Sequence, residues 1–72
     1  MIKPPRFMKE YAAYQIKCIE KLMRQYPNQE TAYKNGIETI NRALDLYTRG
    51  LIIIDEAMRF IADPLQDGTF IY

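Results

Sequence analysis

The sequence predicts an all-α fold: a three-helix domain in which two longer helices form an antiparallel hairpin, followed by a short third helix and an apolar C-terminal tail. Three observations point there. Apolar residues recur at three- and four-residue spacing over two long stretches. Tyr26-Pro27 and Gly50 interrupt the chain where helices would end. A length of 72 residues, 49% of them apolar, supplies one small core and no second domain.

The first helix is expected from Pro5 to Gln25. Pro5 suits the first helical position, where its missing N–H costs nothing. Tyr26-Pro27 closes the segment, because a residue before proline is pushed out of the α region. At 3.6 residues per turn, Phe7, Met8, Tyr11, Ala12, Tyr14, Ile16, Cys18, Ile19, Leu22 and Met23 fill an arc of roughly 200°. Lys9, Glu10, Lys17, Glu20, Lys21 and Arg24 hold the rest. That arc is wider than one partner helix needs, so either two helices pack on it or another molecule does.

The second helix is expected from Gln29 to Thr48, with Asn28 as N-cap and Glu30 in the first turn, where a negative charge suits the helix dipole. Its stripe is Tyr33, Gly36, Ile37, Ile40, Ala43, Leu44 and Tyr47. Thr31, Lys34, Glu38, Asn41, Arg42 and Asp45 face away, and Glu38–Arg42 has the favourable i,i+4 order. Gly36 with Ala32 and Ala43 makes a flat strip that a neighbouring backbone could approach. Gly50 ends the helix as its C′ residue.

Leu51-Ile52-Ile53-Ile54 has high β-propensity, and periodicity alone does not assign it. Its best reading is a buried connector leading to Asp55 as N-cap of a third helix, Glu56 to Ala62. Ala57, Met58, Ile61 and Ala62 would face inward, with Glu56, Arg59, Phe60 and Asp63 outward. Asp63-Pro64 stops it, and Asp67-Gly68 signals a turn. Thr69-Phe70-Ile71-Tyr72 is too apolar for an ordinary solvated end; docked tail, strand and free peptide all remain open for it.

Composition excludes several chemistries. The chain has no His, Ser or Trp and one Cys, which removes His-based acid–base work, Ser–His–Asp triads and Cys/His zinc sites. One cysteine forms no intrachain disulfide, so a reducing, cytoplasmic setting is expected. The opening residues lack the apolar core of a signal peptide, and Leu51 to Ile54 is the longest apolar run, far short of the ~18 residues of a span. Cys18 lacks a neighbouring base and reads as a core filler. Asp55, Glu56, Asp63 and Asp67 lack the spacing of a Ca²⁺ loop. No enzyme activity, cofactor or metal is expected.

Charge is uneven. Residues 1–26 carry six cations against two acids, a net +4, and residues 27–72 carry four against seven, a net −3. A helix-turn-helix reading of the last two helices fails because the outward face of the third is net negative and would repel phosphate. Six tyrosines supply amphipathic contact area at low entropic cost. Because burial and chain ordering nearly cancel at this length, any spare apolar face is expected to be covered by a second chain. The expected function is therefore a small protein-interaction module, a homodimer being favoured. Arg6, Phe7, Tyr11, Tyr14, Lys17, Lys21 and Arg24 are its contact residues. The alternative is nucleic-acid binding through the same basic helix and the Lys3–Arg6 arm; no membrane partner is expected.

Two stretches carry a resemblance. Lys3-Pro4-Pro5-Arg6-Phe7, with Lys9-Glu10-Tyr11-Ala12 and Tyr14-Gln15-Ile16, resembles the opening of small uncharacterised helical proteins of Firmicutes bacteria and their phages or integrated elements. Tyr47-Thr48-Arg49-Gly50-Leu51-Ile52 with Asp55-Glu56-Ala57 looks like their helix-Gly-Leu/Ile-Ile-acidic-helix ending, a pattern shared loosely with SHOCT-type C-terminal modules. The resemblance implies a small helical protein of mobile-element type with no catalytic residues to carry over. SHOCT-type modules are regarded as oligomerisation or nucleic-acid-associated pieces. A phage-type protein of this size would fit a modulator that binds a host protein, including an inhibitor of a defence system.

Overall fold

The computed structural model describes residues 2–64; the Asp67-Gly68 turn and the 69–72 tail lie outside them. Three α-helices build the domain: α1 (Arg6–Gln25), α2 (Glu30–Thr48) and α3 (Ile54–Ala62), with a single 3₁₀ turn over Pro27–Gln29 between the first two. Among the described residues there is no strand. The short connection turns the chain back, and the backbone N–H of Ile2 donates to the carbonyl of Thr48 at 2.9 Å. The start of α1 therefore lies beside the end of α2, as an antiparallel hairpin requires.

Helix ends differ from the sequence reading in ways that follow from backbone satisfaction. Pro5 is the N-cap of α1 rather than its first helical residue: it is extended at φ −60°, ψ 153°, and its carbonyl accepts from Met8 and Lys9. Asn28 does not cap α2. It lies inside the 3₁₀ turn, where Gln29 N–H donates to Tyr26 and Glu30 N–H to Pro27, so these donors need no side chain. Gly50 is the C′ residue as expected, at φ 76°. Its N–H donates to Tyr47 at 2.9 Å and that of Leu51 to Leu46 at 2.9 Å, the paired 5→2 and 6→1 bonds of a Schellman motif.

The largest correction concerns residues 51–56. The third helix starts at Ile54, not Glu56, with Ile53 as the extended N-cap. Ile54, Ala57, Met58 and Ile61 recur at helical spacing, and including Ile54 in the helix brings a fourth apolar side chain onto the core. Asp55 then falls in the first turn rather than at the cap, and Glu56 Oε1 accepts the Ile53 N–H at 3.2 Å. The connector is not buried: Leu51 is 66% and Ile53 61% exposed, while Ile52 packs on the core. Leu51 and Ile52 form bends and Ile53 is extended, and this path leaves Leu51 and Ile53 in water while Ile52 and Ile54 reach the core.

The core consists of Met8, Ala12 and Ile19 from α1, Ile40 and Ala43 from α2, and Ala57 and Ile61 from α3. Tyr33, Ile37, Leu44 and Tyr47 pack around it, and Gly36 is buried, so the whole predicted stripe of α2 faces inward. Ala32 and Ala62, expected to share in packing, are exposed. Gln15 of α1 donates from Nε2 to the carbonyls of Ile61 and Ala62, both at 3.1 Å, tying the last turn of α3 to the middle of α1.

Candidate interaction surface

The apolar arc of α1 is divided among three fates. Met8, Ala12 and Ile19 are buried. Tyr11, Ile16, Cys18, Leu22 and Met23 are half-buried, and Tyr11, Ile16 and Met23 pack against the core. Phe7 and Tyr14 remain 57% and 63% exposed. Tyr11 thus belongs largely to the fold, and the surplus circumference of α1 narrows to Phe7 and Tyr14.

Phe7, Tyr14 and Lys21 are seven residues apart, two turns each, and so form one line along the outside of α1. Lys17 and Arg24 border its C-terminal half and are exposed. Arg6, beside its first turn, is ion-paired with Glu10 at 3.3 Å with both partners exposed.

The two long helices treat their charges differently. On α2 and its C-cap, Lys34, Arg42 and Arg49 are each paired with the acid four residues earlier, at 3.4, 3.3 and 3.1 Å. On α1, Lys9, Lys17, Lys21 and Arg24 make no ion pair among the described residues. Positive potential therefore accumulates on α1 while α2 neutralises itself.

The phenol of Tyr14 is held above its ordinary value chiefly by the neighbouring Cys18 side chain, with desolvation and then Tyr11 acting in the same direction. It stays neutral across the physiological range. Cys18 is a free, half-buried thiol on the wall of an open cleft of about 300 Å³ between α1 and the end of α3, together with Gln15, Leu22, Ala62, Asp63 and Pro64. No group of His, Cys, Asp and Glu among the described residues could hold a metal ion, and no described helix is long and apolar enough to cross a membrane.

Sequence reasoning missed Gln15 and the exposure of Leu51 and Ile53. Gln15 had a signal: it is a polar residue inside the apolar arc, one turn from Tyr11 and Ile19. Phe60 was expected outward and is 38% exposed. The basic N-terminal segment is anchored: Ile2 is bonded to Thr48, and its side chain lies over Gly50, where a Cβ would come within 3.6 Å of it.

Set against known protein families, curated proteins and solved structures, the chain matches none of them.

Proposed function

We propose that the protein is a non-enzymatic interaction module that works by occupying the surface of another protein, with the exposed flank of α1 as its binding face. Phe7 and Tyr14 are the anchors, Tyr11 adds its accessible edge, and Arg6, Lys17, Lys21 and Arg24 steer acidic partners toward it. The observation that carries this reading is the exposure of two large aromatic residues on a helix whose other side builds the core. Rigid aromatic side chains beside unpaired cations are what protein hot spots are made of. The mobile-element resemblance adds a setting: a phage-type protein in the cytoplasm that modulates a host protein, an inhibitor of a defence system being one such role.

The test is site-specific crosslinking from position 14 in the native host. A discrete protein adduct that disappears in a Phe7→Asp variant supports the reading, provided that charge reversal at Arg42 on α2 leaves it intact. Adducts unchanged by Phe7→Asp would refute it.

A second reading is favoured by the unpaired Lys17, Lys21 and Arg24: binding to nucleic acid. It predicts affinity that falls with a log–log salt slope near −0.9 per phosphate neutralised. Absence of binding in low salt at micromolar protein eliminates it.

A further inference from the structure

We infer that a second copy of this chain covers the α1 flank, and that it does so with the outward face of α3. The inference rests on the reading of α1 as a binding face and names what lies on it.

Ile53, Glu56, Phe60 and Asp63 are three, four and three residues apart, which places them along one side of α3 and its N-cap. All four are exposed. The face thus alternates apolar and acidic groups, whereas the α1 flank carries Phe7 and Tyr14 followed by Lys17, Lys21 and Arg24, and the one acid among them, Glu10, is taken up by Arg6 at 3.3 Å. Charge divides the same way. Asp55, Glu56 and Asp63 outnumber Arg59 on α3 and its C-cap, α2 and its C-cap are neutral through their three pairs, and α1 holds the basic surplus.

Within one molecule these complementary surfaces do not satisfy each other: no ion pair joins α1 to α3 among the described residues. Nucleic acid would cover the basic flank and leave Phe60 and Ile53 in water beside two carboxylates it repels. A second copy related by a two-fold axis covers both, since α1 of each subunit meets α3 of the other and the contact closes on itself.

Sedimentation analysis of paired charge reversals tests this. Lys17→Glu/Lys21→Glu makes both surfaces acidic and Glu56→Lys/Asp63→Lys makes both basic, so each variant alone should self-associate at least about tenfold more weakly than wild type. An equimolar mixture should regain dimers, because both contacts in the mixed pair are again of opposite charge. Asp63→Lys alone keeps the Glu56–Ile53 hydrogen bond and should weaken the dimer in the same direction. Asp55→Lys makes the same charge change away from this face and should leave it intact. Helical circular dichroism of each variant checks that it has folded.

A wild type that stays monomeric at millimolar concentration, a mixture that fails to recover dimers, or an Asp55→Lys variant as defective as Asp63→Lys would each overturn the inference. A monomeric wild type that still gives Phe7-dependent adducts with a host protein would overturn it while leaving the binding role of α1 standing.

Discussion

Gln15 is half-buried among apolar neighbours, and its amide donates to two carbonyls at the end of α3. Those carbonyls belong to the group that a helix leaves unsatisfied at its C-terminus. Gln15→Leu should therefore destabilise the fold by about 1–2 kcal/mol, read as a lower urea midpoint with unchanged slope. Gln15→Glu should cost more, because a carboxylate can only accept and would face two acceptors. Tyr14 carries a prediction of its own. Its phenol is raised in the folded state, so it favours the folded form below pH 10 and that contribution is lost only as pH climbs through the raised value. Ultraviolet titration of Tyr14→Phe should lack a tyrosinate step that the wild type shows above pH 10, while stability between neutral pH and pH 9 stays flat with respect to this group.

At the scale of elements, the junction from α2 to α3 holds the local decisions. Gly50 adopts a left-handed φ of 76° that a residue with a Cβ reaches only at a cost of roughly 1–2 kcal/mol. Gly50→Ala should lower the melting temperature accordingly, although the space beside it is open enough for a methyl group, with Ile2 at 3.6 Å. Glu56 supplies the reciprocal half of a capping box to Ile53, and Glu56→Ala should cost about 1 kcal/mol where Glu56→Gln costs little. The three exposed pairs of α2 have the acid-first order that suits the dipole. Each contributes only a few tenths of a kcal/mol, so raising salt should scarcely move the unfolding transition.

For the molecule as a whole, stability expected for this length is roughly 4–11 kcal/mol, and among the described residues its core is a cluster of seven buried apolar side chains. Ile40 is fully buried. Ile40→Ala should cost about 2–5 kcal/mol, enough to leave a large unfolded fraction in thermal melts. The same small core explains why α1 keeps aromatic surface in water: α2 and the nine residues of α3 cannot enclose all of a 20-residue helix. Because Lys9, Lys17, Lys21 and Arg24 lie on its surface and make no ion pair among the described residues, partner association should slow as ionic strength rises through the Debye screening of the flank. Stopped-flow association rates across a salt series measure this directly.

Periodicity, proline and glycine were enough to specify three helices, the inward stripe of α2 and the termination at Gly50, because those features depend on local sterics and on which residues avoid water. The candidate contacts were only half legible. Lys17, Lys21 and Arg24 are exposed as helical periodicity indicated, and Arg6, Phe7 and Tyr14 are exposed with them, but Tyr11 is drawn onto the core. Tertiary packing also moved the start of α3 to Ile54, exposed Leu51 and Ile53, and linked Gln15 to a helix 46 residues away. Such outcomes depend on how much surface three particular helices can cover and on which distant carbonyls lack partners, and neither quantity exists until the helices meet.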